Sequence, residues 1–133
     1  MRFLEMETKK EERRKAVKFG ENSEQLVSEE YMRRGYTILE RRWRMGKTEI
    51  DLIARKDDVV VIIEVKARKD DEEGALEAVS NDKRRRMIRA ADSYLKKLTG
   101  DVNYRFDIVA LTGTEEKFKI EIVEDAFLAT DII

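Results

Sequence analysis

From Thr8 to Arg34 the chain has no proline, one interior glycine and strong helix formers, with apolar Leu26, Val27 and Tyr31 recurring at helical spacing. The pattern predicts a helix, with Gly20 as the place where it would break. Gly35 follows as a left-handed cap, and from Tyr36 the period shortens toward two. Three alternating runs, 36–44, 48–56 and 59–67, separated by Met45-Gly46-Lys47 and Asp57-Asp58, predict a β-meander. From Asp71 to Leu98 the spacing turns helical again: Leu76, Val79, Met87, Ala91, Tyr94, Leu95 and Leu98 form a stripe, with Lys83, Arg84, Arg85 and Arg89 on the other face. Gly100 closes that helix, Tyr104 to Leu111 alternates as a strand, and Lys117 to Val123 reads as its hairpin partner. The expected order is αβββαββ. Without repeats, linkers or low-complexity tracts it predicts a single domain over 1–133, with a core at about 20–128 and residues 1–19 as a helical extension.

The central hairpin carries the candidate chemistry. If Asp57-Asp58 is a two-residue loop, Lys56 faces Val59, Ile53 faces Ile62, Asp51 faces Glu64 and Glu49 faces Lys66. The opposite face, Ile50, Leu52 and Ala54 against Val61, Ile63 and Val65, is wholly apolar and requires a covering helix. The charged face is itself half apolar through Ile53, Val60 and Ile62. Two carboxylates opposed on strands this apolar repel one another, by a few kcal/mol in order of magnitude in a partly dry site, unless one is protonated or a cation lies between them. A divalent metal resolves the conflict. The plainer alternative makes Glu49 and Lys66 a cross-strand ion pair and leaves Asp51 and Glu64 at a wet sheet edge. It does not explain why acids interrupt runs of Val and Ile.

Composition narrows the chemistry. At 133 residues one core is expected, and with 43% charged and 41% hydrophobic residues the exterior is densely ionic while enough apolar material remains to fold. Cysteine and histidine are both absent. Thiolate and imidazole ligands are therefore excluded, and an oxygen-ligated metal points to Mg²⁺ or Mn²⁺. Two carboxylates holding such an ion against a phosphate oxygen, with a lysine beside the attacking water, suit phosphodiester hydrolysis. No apolar run approaches the roughly 20 residues of a membrane span, and the N-terminal segment lacks a signal-peptide core, so a cytoplasmic protein without membrane attachment is expected. A net charge of −1 argues against a generic polybasic binder, but the cations cluster at 9–18, 41–47 and 83–89, and the last two clusters bracket the hairpin.

Gly20-Glu21 and Glu24, then GYTILERRWR (35–44), TEIDLIAR (48–55), VIIEVKAR (61–68), AVSNDKRRR (78–86) and RFDIVAL (105–111), resemble in order the restriction-endonuclease-like PD-(D/E)XK superfamily. The resemblance is closer to the YraN-like family of uncharacterised bacterial proteins, relatives of archaeal Holliday junction resolvases. It implies an α/β fold with an αβββαβ core, a mixed central sheet flanked by helices. It also implies a metal-dependent DNA endonuclease acting on branched or otherwise non-duplex DNA, with Asp51 and Glu64 as Mg²⁺ or Mn²⁺ ligands and Lys66 as the catalytic lysine. Glu24 would add a further carboxylate, with Glu21 as its competitor. Related resolvases act as two-fold dimers, so a homodimer is implied as well. Thr48 stands where the family usually has glycine. The segment KDDEEGA (69–75) replaces a longer stretch containing proline and glycine and would approach the substrate.

Sequence-independent affinity would come from phosphate contacts by Arg42 and Arg44 before the hairpin and by Lys83 and Arg86 on the long helix, while Arg84 and Arg85 fit a solvated helix face equally well. Trp43 fits core packing better than base stacking, and Tyr94, Phe106 and Phe127 are assigned to packing. The competing function, from a different class, is a nucleic-acid-binding module or repair-complex subunit that keeps the fold without turnover.

Overall fold

A five-stranded mixed sheet lies between two helices, and each helix covers its own apolar cluster. The structure, a computed structural model, describes residues 2–68 and 79–129. The element order is α1 (Arg2–Arg33), β1 (Thr37–Met45), β2 (Thr48–Lys56), β3 (Val59–Arg68), α2 (Asn81–Leu95), β4 (Asn103–Gly113) and β5 (Phe118–Val123). Strands stand in the order β1-β2-β3-β4-β5, with only the β3–β4 pair parallel. This is the α/β, restriction-endonuclease-like arrangement expected from the sequence. No described helix is long and apolar enough to cross a membrane.

Helix α1 is longer than its apolar pattern predicts and runs through Gly20 without a break. A glycine weakens a helix without interrupting its backbone bonds, and Ser23 Oγ adds a 2.8 Å hydrogen bond to the Gly20 carbonyl. The side chains of residues 4–18 are exposed, and burial begins at Phe19 and continues with Ser23, Val27 and Tyr31, which lie along one side of the helix. The helix ends as expected at Gly35, whose φ of 93° lets Tyr36 N reach the Tyr31 carbonyl at 3.0 Å and its own N–H reach that of Met32 at 3.0 Å.

The second helix is shorter than predicted. Ser80 takes an extended conformation and its hydroxyl accepts from Lys83 N at 3.2 Å, so α2 starts at Asn81 and the stripe position Val79 precedes it. The expected turns between Asp71 and Ala78, with Leu76, lie outside the described residues.

The α2 side of the sheet is Ile50, Ile53, Val60, Ile62, Phe106, Ile108 and Ala110 under Met87, Ala90, Ala91 and Tyr94, and the α1 side is Leu52, Ala54, Val61, Ile63, Val65, Val109 and Leu111 under Val27 and Tyr31. One expected apolar residue has changed sides: Ile50 packs with α2 and not with Leu52 and Ala54. Strict alternation would keep these residues on one face, so β2 is irregular at Asp51, between Ile50 and Leu52. Its neighbour β1 is irregular too, with a register shift between Ile38 and Glu40 and a left-handed φ of 49° at Arg42. As a result Arg41 and Arg42, adjacent in sequence, both reach α1, at Ser28 (2.9 Å) and Glu24 (2.8 Å), while Trp43 packs edge-on against Tyr94 of α2.

Candidate active site

The β2–β3 register follows the two-residue Asp57-Asp58 turn: Lys56 faces Val59, Ile53 faces Ile62, and the ladder runs as far as Leu52 opposite Ile63. There it stops. The Asp51 carboxylate accepts the Val65 backbone N–H at 2.7 Å, so a side chain takes the place of a ladder bond. Beyond this point β3 keeps its parallel pairing with β4, through Lys66 opposite Ala110 and Arg68 opposite Thr112. One edge of β3 is thus held by β4 while the other opens toward Asp51, and the acids that sequence placed face to face meet where the hairpin parts.

Glu64 is 4% exposed, and no hydrogen bond reaches its Oε2. Two ammonium groups flank it, Lys66 Nζ at 3.6 Å from Oε1 and Lys83 Nζ at 3.7 Å from Oε2. Burial pushes Glu64 above the usual carboxylate range, and the charges of Lys83 and Lys66 only partly oppose this. Asp51 is pushed up to about 7, first by burial and then by the charge of Glu64, against the Val65 N–H that favours its ionised form. Burial therefore draws both acids toward their protonated forms.

Helix α1 supplies the next carboxylate. Glu24 lies beside the buried Ser23 and Val27, and one oxygen each from Glu24, Glu49 and Asp51 lie within 4.8 Å of one another, all three residues half-buried. Glu24 and not the exposed Glu21 reaches this cluster. Glu49 is the residue that sequence reasoning missed. It was expected to pair with Lys66, yet its partner is Arg44, its neighbour across the β1–β2 ladder, with Nη2 2.9 Å from Oε2. Lys66 turns instead to Glu64. The available signal is the period of two that links Glu49 to Asp51 on β2.

Four carboxylates, two of them pushed toward protonation and one with an oxygen lacking a hydrogen bond, suit a hard divalent cation such as Mg²⁺ or Mn²⁺. The three closely clustered oxygens belong to Glu24, Glu49 and Asp51 rather than to the expected set of Glu24, Asp51 and Glu64, while Glu64 interacts with Asp51.

The cations around the site differ in position. Lys83 is drawn in from α2, with Nζ 3.4 Å from the Glu49 carbonyl as well as close to Glu64, so the structure makes it part of the site and not of an outer basic face. Arg42 Nε donates to Glu24 at 2.8 Å. Arg86 is exposed on α2, three residues after Lys83. Arg84 lies over the Phe127 ring and donates to the Val79 carbonyl, while Arg85 pairs with Asp82, so neither is a bare solvated charge. Trp43 is packing, as expected, with its ring between Tyr94 and Lys97.

Residues 23–111 match the model of a family described as "Uncharacterised protein family UPF0102". A UPF0102 protein of Phocaeicola vulgatus is 40% identical over 110 residues, covering 82% of this chain and 91% of the relative. One from Bacteroides thetaiotaomicron is 40% identical over 111 residues, 83% and 89% of the two chains, and one from Chloroherpeton thalassium 39% over 119 residues, 86% and 92%. The matched segment spans Glu24, Glu49, Asp51, Glu64, Lys66 and Lys83.

Proposed function

We propose that this chain, which belongs to the uncharacterised protein family UPF0102, is a Mg²⁺- or Mn²⁺-dependent endonuclease that hydrolyses phosphodiester bonds in branched or otherwise non-duplex DNA. One observation carries the chemistry: Glu24, Glu49, Asp51 and Glu64 gather with Lys66 and Lys83 where the central hairpin opens. The DNA substrate rests on the resemblance to resolvases and on the basic residues beside the site.

Glu24, Glu49 and Asp51 would hold the cation, with Glu64 next to Asp51. A bound divalent ion supplies Lewis acidity toward a phosphate oxygen and lowers the pKa of a coordinated water. The protein's own residues do the rest. The Val65 N–H fixes the orientation of the Asp51 carboxylate. Lys66, with a half-open side chain beside Glu64, would orient the attacking water and offset charge developing on the phosphate. Lys83 holds Glu64 from the other side and ties α2 to β2 through the Glu49 carbonyl. Arg42, Arg44 and Arg86 would bind neighbouring phosphates without reading bases. A cytoplasmic setting and a two-fold homodimer, matching the two symmetric strands of a junction, complete the proposal.

Calorimetric titration of Mn²⁺ into the wild type and Asp51→Ala, with cleavage of fluorescent four-way junctions, flaps and single strands, tests it. Binding and cleavage in the wild type and loss of both in the variant are expected. Metal and DNA binding without cleavage of any substrate would favour a binding module on the same fold. No metal binding, even with DNA present, would make the carboxylate cluster structural.

A further inference from the structure

Two of the clustered carboxylates are already matched, and by guanidinium groups of one strand. Arg42 Nε lies 2.8 Å from Glu24 Oε2, and Arg44 Nη2 lies 2.9 Å from Glu49 Oε2. The acids' side chains are only 23% and 29% exposed, whereas those of the arginines are 63% and 69% exposed. Each arginine therefore covers an inward-facing carboxylate from the solvent side, where a polyanion would arrive. Neither Asp51 nor Glu64 is matched by an arginine: Asp51 is held by a backbone N–H, and Glu64 lies between the ammonium groups of Lys66 and Lys83.

The backbone is bent to achieve this. Arg42 sits in a strand with φ of 49°, a left-handed conformation that a Cβ disfavours. Asp57, at a similar φ of 55°, occupies a hairpin turn that demands it. No turn lies at Arg42. Regular alternation would send Arg42 to the face opposite Arg41, and the left-handed residue sends it to Glu24 on α1 instead.

We propose that Arg42 and Arg44 are exchange partners: without a cation they neutralise Glu24 and Glu49, and when a divalent ion takes those carboxylates the guanidinium groups pass to the substrate's phosphates. The inference rests on the metal-site reading above and adds a regulation to it. Ion pairs this exposed contribute little to stability, so a divalent ion displaces them readily. A released guanidinium meets a phosphate in the planar, two-pronged geometry it makes with a carboxylate. Metal and DNA would then each raise the other's affinity by the same factor, as linkage requires. The enzyme would grip DNA firmly only when loaded.

The test measures anisotropy of a labelled four-way DNA junction, in EDTA and in Ca²⁺ as a non-cleaving divalent ion, for the wild type and Arg42→Ala/Arg44→Ala. The exchange predicts near-equal affinities of the two proteins in EDTA, where the arginines are engaged, and a loss on the order of tenfold by the variant in Ca²⁺. Mn²⁺ titrated without DNA should bind the variant about two- to fivefold more tightly, since a competing cation has gone. An equal loss of DNA affinity in EDTA and Ca²⁺ would make the arginines permanent phosphate ligands, and no loss in either would make them structural; both outcomes overturn the exchange alone. A wild type that binds no Mn²⁺ overturns the metal site and the exchange with it. Thermal melts check folding, and Arg42→Gly/Arg44→Gln, which accepts the left-handed backbone at 42, repeats the comparison if the alanine variant is unstable.

Discussion

At the scale of single residues, Arg42 joins backbone strain to a charge contact. Ordinarily alanine is more stable than glycine within an element by roughly 0.5–1 kcal/mol. At a φ of 49° the order should invert, because only glycine adopts it without a Cβ clash. Urea melts are therefore expected to find Arg42→Gly at least as stable as Arg42→Ala; alanine the more stable would mean that the residue is unstrained. A different logic governs Tyr31. Its phenol donates to the fully buried Asp107 at 2.7 Å, and burial together with the charge of Asp107 pushes its pKa far above the usual tyrosine range, so it remains a donor. Tyr31→Phe removes one donor from a buried carboxylate that Arg105 and the Asp125 N–H also serve, and should destabilise by about 1–3 kcal/mol without changing Mn²⁺ affinity. A parallel fall in metal binding would show that this pair supports the site as well as the fold.

Between elements, the site depends on where helices begin and strands part. The Ser80 cap starts α2 close enough to β2 for Lys83, in its first turn, to reach Glu64 and the Glu49 carbonyl. Ser80→Ala should lower stability by about 1 kcal/mol, the usual cost of a lost cap. It should also loosen Lys83, which a lower cleavage rate at saturating metal would register; an unchanged melting curve would show that the cap hydrogen bond contributes nothing. Sequence carried this boundary only faintly. The apolar stripe includes Val79 and so extends past Ser80, and the serine competes for the backbone more strongly than the stripe pattern can show. The meander was far easier to read, since a two-residue turn fixes register all the way to the Leu52–Ile63 pair.

For the whole molecule, the buried acids link stability to pH and, on the proposed reading, to metal. Asp51 is raised from an ordinary value of 3.8 to about 7, so it favours the folded state least when ionised. The sign follows: both states are protonated below about 4, and between there and about 7 the unfolded chain ionises more readily, so folding weakens as pH rises through this window. In EDTA, the melting temperature of the wild type relative to Asp51→Asn should fall from pH 4 to pH 7 and level off above. Saturating Mn²⁺ should erase that fall, because the ion favours the deprotonated form. A difference independent of pH would mean that Asp51 is not strained by its surroundings. The sequence by itself determined the element order and the hairpin register as far as the Leu52–Ile63 pair, because periodicity and turn chemistry are local. Tertiary structure alone decided that Glu24 and not Glu21 completes the cluster, that Glu49 joins it, that Ile50 crosses to the α2 side and that Lys83 enters the site. Those outcomes depend on how α1 and α2 dock and on strands breaking regularity at Arg42 and Asp51, and such distances are set by packing between segments far apart in the chain.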